Sequence, residues 1–561
     1  MKRWIAALLL ALLTTGCATV PISGPVEEVP LSDRPGGIDI APQPPATDVT
    51  PARLIEGFLQ AMADPADDYA IARAYLTAEA GATWDTSTAV IYTGAVRADE
   101  GSAGIEGTTI GTLDPSGRFT SAPASMDFTF DLVREDGQWR IRSAPAGLML
   151  SRYLFERYYE RVPLYFVSRV GLHVAPDLVH LPESQLTPAT VVDALLKGPP
   201  ASLAGPVYSA IDSSVMLGDE GATIDSQGIV TVDLTGLEPK LGEQQRRLLG
   251  AQLLWTLTSL PRVTGLLVTQ DGMPFALPGA NAEGVVELAA QHVYQVLSRA
   301  VGADLFVIQG AEAGWLREDG MFEPFPTPAE VADIAVSADG ETMAFIGTDR
   351  TSLTLGPVDG ERVDVPTGLT QLRSPQFVLG TLWLLGDDEE GRTRLLTVDR
   401  LHQVSTVSLT VPQGSRLEGF AVSPTRTRMV MILGSQGERR LTTGTIVGTN
   451  QVSVSRPSPL PLTTPGGVQL VDVRSVAWPS ETSIVVVAAA GLQSVYTAQA
   501  DGSGVEEIGP LVGGVDDVTA QARLGGGSIA AHTESGAVWR YEARTRWTMV
   551  AEEITAIAFS G

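Results

Sequence analysis

Residues able to do chemistry are few in this chain, and most of them are scattered. Its 561 residues include one cysteine and five histidines: His173, His180, His292, His402 and His532. His173 and His180 are close in sequence, but they flank a proline-containing loop and bring no carboxylate at metal-ligand spacing. Each histidine therefore reads as a surface or internally bonded imidazole and not as a zinc ligand. The acidic run Asp387-Asp388-Glu389-Glu390 lacks the alternation of ligands that wraps a calcium ion, and reads as the solvated tip of a hairpin. No G-x-S-x-G nucleophile elbow, no phosphate-cradling G-x-x-x-x-G-K-[ST] and no H-E-x-x-H occurs. A pair of carboxyls for glycosidic cleavage is defined by folded distance, and with 65 Asp and Glu the sequence singles out no pair. No catalytic set, metal site or cofactor is nominated, and the expectation is a protein that is not an enzyme.

The lone cysteine is different. Lys2 and Arg3 give a cationic start, Trp4 to Leu13 is an unbroken apolar run, and small residues lead to Gly16 and Cys17. A basic head, an apolar core and a small-residue cleavage region form an export signal, expected over residues 1–16. The run falls short of the roughly 20 residues that span a bilayer. Cys17 directly after Gly16 matches a bacterial lipobox, with Thr14 where a large aliphatic residue is usual. In that motif the thiol takes a diacylglycerol and the freed amino group is acylated, with palmitate the expected chain. Two or three acyl chains, at about 0.8 kcal/mol per buried methylene, hold a protein stably on a bilayer. Cys17 is the predicted lipid-attachment site, and an exported chain with no other cysteine keeps none for disulfides.

The elements that follow must stand outside the cytoplasm. A net charge of −27 repels nucleic acid and anionic headgroups, while 44% hydrophobic and 18% charged residues make a globular composition. Seven prolines between Pro21 and Pro45 mark residues 17–49 as an extended tether that could reach roughly 100 Å from the membrane. A first α+β unit is expected over 50–150. Thr50 caps a helix beginning at Pro51, with Leu54, Ile55, Phe58, Leu59 and Met62 on one face. A short helix follows around Tyr69 to Leu76. Met126, Phe128, Phe130 and Leu132 then alternate into a turn at Asp136-Gly137, with Trp139 and Ile141 returning; Trp139 is expected in the core.

A second α+β unit is expected over 160–277, joined by residues 278–303 to the rest. It comprises a strand at Val162 to Val167, a helix from Thr187 to a stop at Gly198, and strands near 222–225 and 229–234. A longer helix carrying Leu249, Leu253, Thr256, Leu257 and Leu260 precedes a hairpin turning at Asp271-Gly272. From 304 to 561 the pattern is all-β. Openings recur at Ile334-Ala335-Val336-Ser337, Phe420-Ala421-Val422-Ser423 and Val476-Ala477-Trp478-Pro479, with weaker copies near Leu372 and Val515 and a last one at Ile554 to Phe559. The spacing is about 40 residues, with one interval of roughly 56, which fits a β-propeller of about six blades. The last strand is expected to pair beside residues 304–325 and shut the ring; a pair of β-sandwiches is the rival geometry.

Three resemblances rest on these residues. Helices followed by a twisted sheet ending in Asp136-Gly137-Gln138-Trp139-Arg140-Ile141 resemble the cone-like domains of the nuclear-transport-factor-two-like superfamily. The runs LYFV (164–167), ALLKGP (194–199), VTVDLTG (230–236), AQLLWTLTSLP (251–261) and VTQDG (268–272) resemble a GerMN domain. Together with the propeller and the stretch from Cys17 to Pro25, this order resembles the LpqB family of actinobacterial lipoproteins. The resemblance implies a lipid-anchored protein on the extracytoplasmic face of the cell membrane. It implies an accessory of a two-component system, partnered with the extracytoplasmic domain of a sensor kinase of the MtrB type that acts on MtrA, in envelope homeostasis and division. Cell-wall polymer is a further candidate partner and nucleic acid is not one. The alternatives are a propeller glycoside hydrolase or lyase acting on wall polymer, and a passive ligand-binding lipoprotein with a deep apolar pocket in the cone-like domain.

Overall fold

The computed structural model describes residues 42–99, 102–238, 240–297, 304–317, 320–328, 330–435, 437–543 and 546–561. The export signal, Cys17 and the tether to residue 41 lie outside the described residues.

The first α+β unit opens with α1 (Pro51–Ala61). Thr50 Oγ1 accepts from the Arg53 N–H, and Leu54, Ile55, Phe58 and Leu59 are buried along one stripe. The short helix α2 (Ala70–Arg73) is a single turn, because Tyr69 enters it in a left-handed conformation (φ 59°) and its cap lies at Ala74. A third helix, α3 (Ala78–Thr83), is capped by Thr77. Strands β1 (Ala89–Asp99), β2 (Ser102–Leu113) and β3 (Phe119–Phe130) follow. The hairpin β4 (Leu132–Glu135) and β5 (Gln138–Ile141) comes next, then β6 (Leu148–Ser151) and α4 (Arg152–Tyr158).

The sheet order is β3-β2-β1-β6, and β4-β5 stands as a separate two-stranded ribbon. The alternation from Met126 to Leu132 is thus not one strand: β3 ends at Phe130 on β2, and Leu132 starts a new ribbon. Alternation has the same period on both sides of Asp131, so nothing in it marked the break. Asp136 (φ 50°) and Gly137 (φ 82°) make the primed turn expected of the hairpin. Trp139 is half-buried, packing on the core's edge beneath the Arg134 guanidinium, 4.6 Å from its ring. The interior of the cone is filled by Phe58, whose ring lies 5.5 Å from Trp84 and 6.1 Å from Phe130.

The second unit contains β7 (Tyr159–Ser168), β8 (Val174–Pro182), α5 (Pro188–Leu196), β9 (Val207–Tyr208), β10 (Met216–Ile224) and β11 (Ile229–Thr235). After these come α6 (Glu243–Leu257), β12 (Gly265–Gln270), β13 (Met273–Pro274) and β14 (Val286–Glu287). The residues between His173 and His180 are not a loop, as the sequence reading had it, but strand β8. Pro176 is tolerated there because β8 is the edge of the sheet β8-β7-β9, where a missing N–H leaves no partner unsatisfied. α6 is the crossover between the parallel strands β11 and β12. Its polar residues are not incidental: Gln252 Oε1 accepts from the Ala210 N–H at 2.7 Å and Thr256 Oγ1 from the Tyr165 N–H at 2.9 Å. Leu260 is buried but lies past the helix end at Leu257.

Six blades make up the rest, five of four strands and one of five, and the ring rules out the sandwich pair. The innermost strands are Ile554–Phe559 in blade 1, Val331–Val336 in blade 2 and Thr370–Val378 in blade 3. In blades 4, 5 and 6 they are Arg416–Val422, Val471–Ala477 and Val515–Gln521. All six openings read from the sequence are these strands. Blade 1 is closed as expected: Ile554–Phe559 pairs antiparallel with Leu305–Gln309, Phe559 opposite Leu305 and Ala558 opposite Phe306. Closure leaves no free inner edge. The long interval belongs to blade 4, which gains a strand at Ser408–Leu409 and is followed by a segment folded on itself by a Thr463–Gln469 bridge.

Candidate functional site

Two places concentrate polar groups: the junction where three domains meet, and the mouth of the propeller channel. They lie at opposite ends of the blades. In an antiparallel blade the start of the inner strand and the end of the second share one end, and the turn between those strands marks the other.

At the turn end, the α+β domains seat on blades 4 and 5. Asp177 of β8 is the hub: Arg118 Nε of the first domain donates to its Oδ2 at 2.7 Å, and Arg428 of blade 4 donates to its Oδ1 at 2.7 Å. Arg118 also reaches the Gly198 carbonyl, and Arg428 lies 3.4 Å from the Pro176 carbonyl. Arg152, buried at the start of α4, donates to the carbonyls of Thr463 and Val505 at 3.0 and 2.8 Å, with Nε on Glu156. His180 Nε2 lies 2.9 Å from Asp501 Oδ2 while its ring packs 4.9 Å from Phe155. Burial raises the Asp501 carboxyl, but the hydrogen bond and charge of His180 outweigh it and hold the group below the usual range. His173 Nε2 meets the Thr425 carbonyl at 3.2 Å. The two neighbouring histidines thus join domains.

At the mouth, every inner strand shifts register near its start. Such bulges re-aim side chains at barrel rims. Ion pairs and hydrogen bonds there run from blade to blade. Asp333 of blade 2 accepts from the Ser374 N–H of blade 3, Arg416 of blade 4 donates to Asp387 of blade 3, and Arg439 of blade 4 to Asp472 of blade 5. Arg474 of blade 5 pairs with Glu534 of blade 6, and Ser475 Oγ donates to Asp517 Oδ1 at 2.6 Å. His532 Nε2 meets the Ile554 carbonyl of blade 1 at 2.8 Å and its Nδ1 meets Asp516 at 2.6 Å.

Two carboxyls here are held less acidic than usual. Burial pushes Asp333 up to about 6, opposed by the Arg350 guanidinium and reinforced by the charge of Asp517. Asp517 is likewise raised, chiefly by desolvation, against the Ser475 hydrogen bond. Both carboxylates touch solvent, Asp517 more than Asp333, so water screens part of each shift. A carboxyl raised toward neutrality under the charge of a second one is an arrangement able to exchange a proton in mildly acidic solution.

Of the residues weighed in the sequence, His402 sits in a left-handed turn (φ 61°) after the third strand of blade 3, and His292 is exposed with its ring 6.1 Å from Trp255. The acidic run forms the turn between Thr381–Asp387 and Thr393–Val398. Asp388 accepts from the Glu390 and Arg392 N–H groups and pairs with Arg392 and Arg394. Asp333 and Asp517 were missed. Aligning Val331-Ala332-Asp333-Ile334 with Val515-Asp516-Asp517-Val518 would have found them, since both acids precede an aliphatic residue at the same place in the repeat.

Among the described residues no helix is long and apolar enough to cross a membrane. Two small α+β domains bonded to one end of a six-bladed propeller define a multidomain propeller protein, with ion pairs running from blade to blade at the other end. Comparison with known proteins gives the family. Residues 44–156 match "Lipoprotein LpqB, N-terminal domain", 163–275 match "Sporulation and spore germination" and 319–556 match "Lipoprotein LpqB beta-propeller domain". Lipoprotein LpqB of Cutibacterium acnes is 29% identical, covering 98% of this chain and 97% of its own length. That of Streptomyces avermitilis is 28% identical over 98% and 97% of the two chains. The chain belongs to the LpqB lipoprotein family.

Proposed function

We propose that this protein is a lipid-anchored extracytoplasmic accessory of a membrane sensor kinase of the MtrB type, working in envelope homeostasis and division, and not an enzyme. The observation that carries the reading is the junction. Asp177 ties both α+β domains and the propeller into one body, so force or occupancy at the mouth is transmitted to the domain that follows the tether. A rigid scaffold held on a membrane by acyl chains on Cys17 meets a membrane-bound partner at raised effective concentration. It biases that partner between signalling states when its affinities for the two differ. The mixed-sign mouth supplies a surface for a protein ectodomain. Photo-crosslinking in living cells from the anchored protein, with probes at the mouth, tests this: capture of the kinase ectodomain is expected. Its absence, where a known envelope contact is captured in parallel, refutes the reading.

A second reading has one observation in its favour, the Asp333–Asp517 pair in the channel. Hydrolysis of a glycosidic bond uses two carboxyls, and Asp333 and Asp517 are both raised, with the charge of Asp517 acting on Asp333. Release of fragments from purified wall polymer, abolished by Asp333→Asn, would decide for it. The passive ligand-binding reading is disfavoured by the aromatic filling of the cone.

A further inference from the structure

One buried ionisable group takes no part in the ion pairs of the junction. Glu481 sits in the turn between the first two strands of blade 5 and is 6% exposed. Tyr165 of β7 donates from its hydroxyl to Glu481 Oε2 at 2.8 Å, and Gln295 of the connecting segment donates to the same oxygen at 3.3 Å. Among the described residues Oε1 has no partner. Three parts of the chain therefore converge on one carboxyl: the second α+β domain, the segment leaving it, and the propeller.

No cation among the described residues pairs with this carboxyl. On β7, Arg161 lies toward Gly504. On the connecting segment, His292 is exposed beside Trp255. In the next blade, Arg523 donates to Gln521 at 2.6 Å. Tyr165 is the titratable group in contact, and burial together with the Glu481 charge holds its hydroxyl well above the ordinary value, so it remains a neutral donor.

We propose that Glu481 is a proton-operated latch: with its proton on, it closes the second α+β domain onto the propeller, and without it a buried uncompensated charge favours their separation. Removing a charge from water without a counter-ion is costly, and two neutral donors on one oxygen offset it only in part. Burial pushes the carboxyl up to about 7 while the Tyr165 and Gln295 bonds pull the other way. In the separated state the group returns to its ordinary value near 4.5. Below pH 4.5 both states hold the proton and closure is at full strength. Between 4.5 and about 7 only the separated state loses it, so closure weakens as pH rises; above that both are ionised and no more is lost. From pH 5.5 to 7.5 the separated fraction should grow about twentyfold. This device goes beyond the accessory reading and does not depend on it, since it concerns the junction and not the partner.

The test uses the full mature chain. Its rate of proteolytic cutting between Leu288 and Gln295 is measured from pH 5.5 to 7.5, normalised to an unstructured peptide. Wild type should rise by about twentyfold across that range, and Glu481→Gln, a neutral stand-in for the protonated acid, should stay flat at the low rate. An equal rise in both proteins overturns the latch. Tyr165→Phe removes a donor to the ionised form, so its midpoint should move to higher pH; an unmoved midpoint in a folded variant also overturns it.

Discussion

Arg428 of the propeller and Asp177 of the second α+β domain stand 2.7 Å apart, 251 residues apart in sequence, on a carboxylate that is only 5% exposed. Because Arg118 of the first domain occupies the other oxygen, one acid holds three domains.

Asp177→Asn should therefore cost more than a surface ion pair. It leaves two partly buried guanidiniums without their counter-charge, a loss of about 3–5 kcal/mol where burial is complete and somewhat less here. Urea unfolding should show a lower midpoint and earlier exposure of the propeller's turn end. A change within about 0.5 kcal/mol would mean the hub is not holding the domains.

Ring closure rests on the last strand. Deleting residues 554–561 strips Ile557 and Phe559 from a buried cluster and exposes the edge of Leu305–Gln309. The truncated protein should lose cooperative unfolding and self-associate through that edge. Size-exclusion chromatography with a thermal melt reads both; a monomer melting like wild type would contradict closure by this strand.

His532 gives the closure a pH dependence of the same sense as the latch, stronger at low pH and weaker as pH rises. Burial lowers its affinity for a proton, but Asp516 and the Ile554 carbonyl outweigh burial and hold it above the ordinary imidazole value. A raised histidine stabilises fully below the unfolded value of about 6.5 and loses that contribution as pH rises through the folded value. His532→Gln should flatten the stability profile above pH 6.5. An NMR titration of the imidazole checks the direction.

Cys17→Ala should move the protein from the membrane to the soluble fraction. The wild-type mature chain should carry acyl mass at its N-terminus, removable from membranes by detergent and not by salt. Extraction by salt alone, with no acyl mass, would remove the anchor and the accessory proposal with it.

Much of the architecture was legible because it is written in local patterns. Thr50 and Pro51 start a helix, Gly198 stops one, Asp136-Gly137 turns a hairpin, and six repeated openings number six blades. These signals depend on a residue and its near neighbours, so a linear reading reaches them. The break at Asp131 and the strand identity of β8 were not legible: alternation continues through the first, and Pro176 argues against a strand unless it is known to lie on an edge.

The partners at the junction were decided by tertiary structure. The sequence by itself carried an export-signal pattern running into a lone cysteine, two small mixed domains and a repeated all-β body. It could not show that His180 faces Asp501, that Asp177 is shared by two arginines, or that Glu481 is closed off under Tyr165. Each of those partners is separated by tens to hundreds of residues. The acidity and energy of a charged group are set by what surrounds it in space, and only the closing of the ring and the docking of the domains bring those surroundings together.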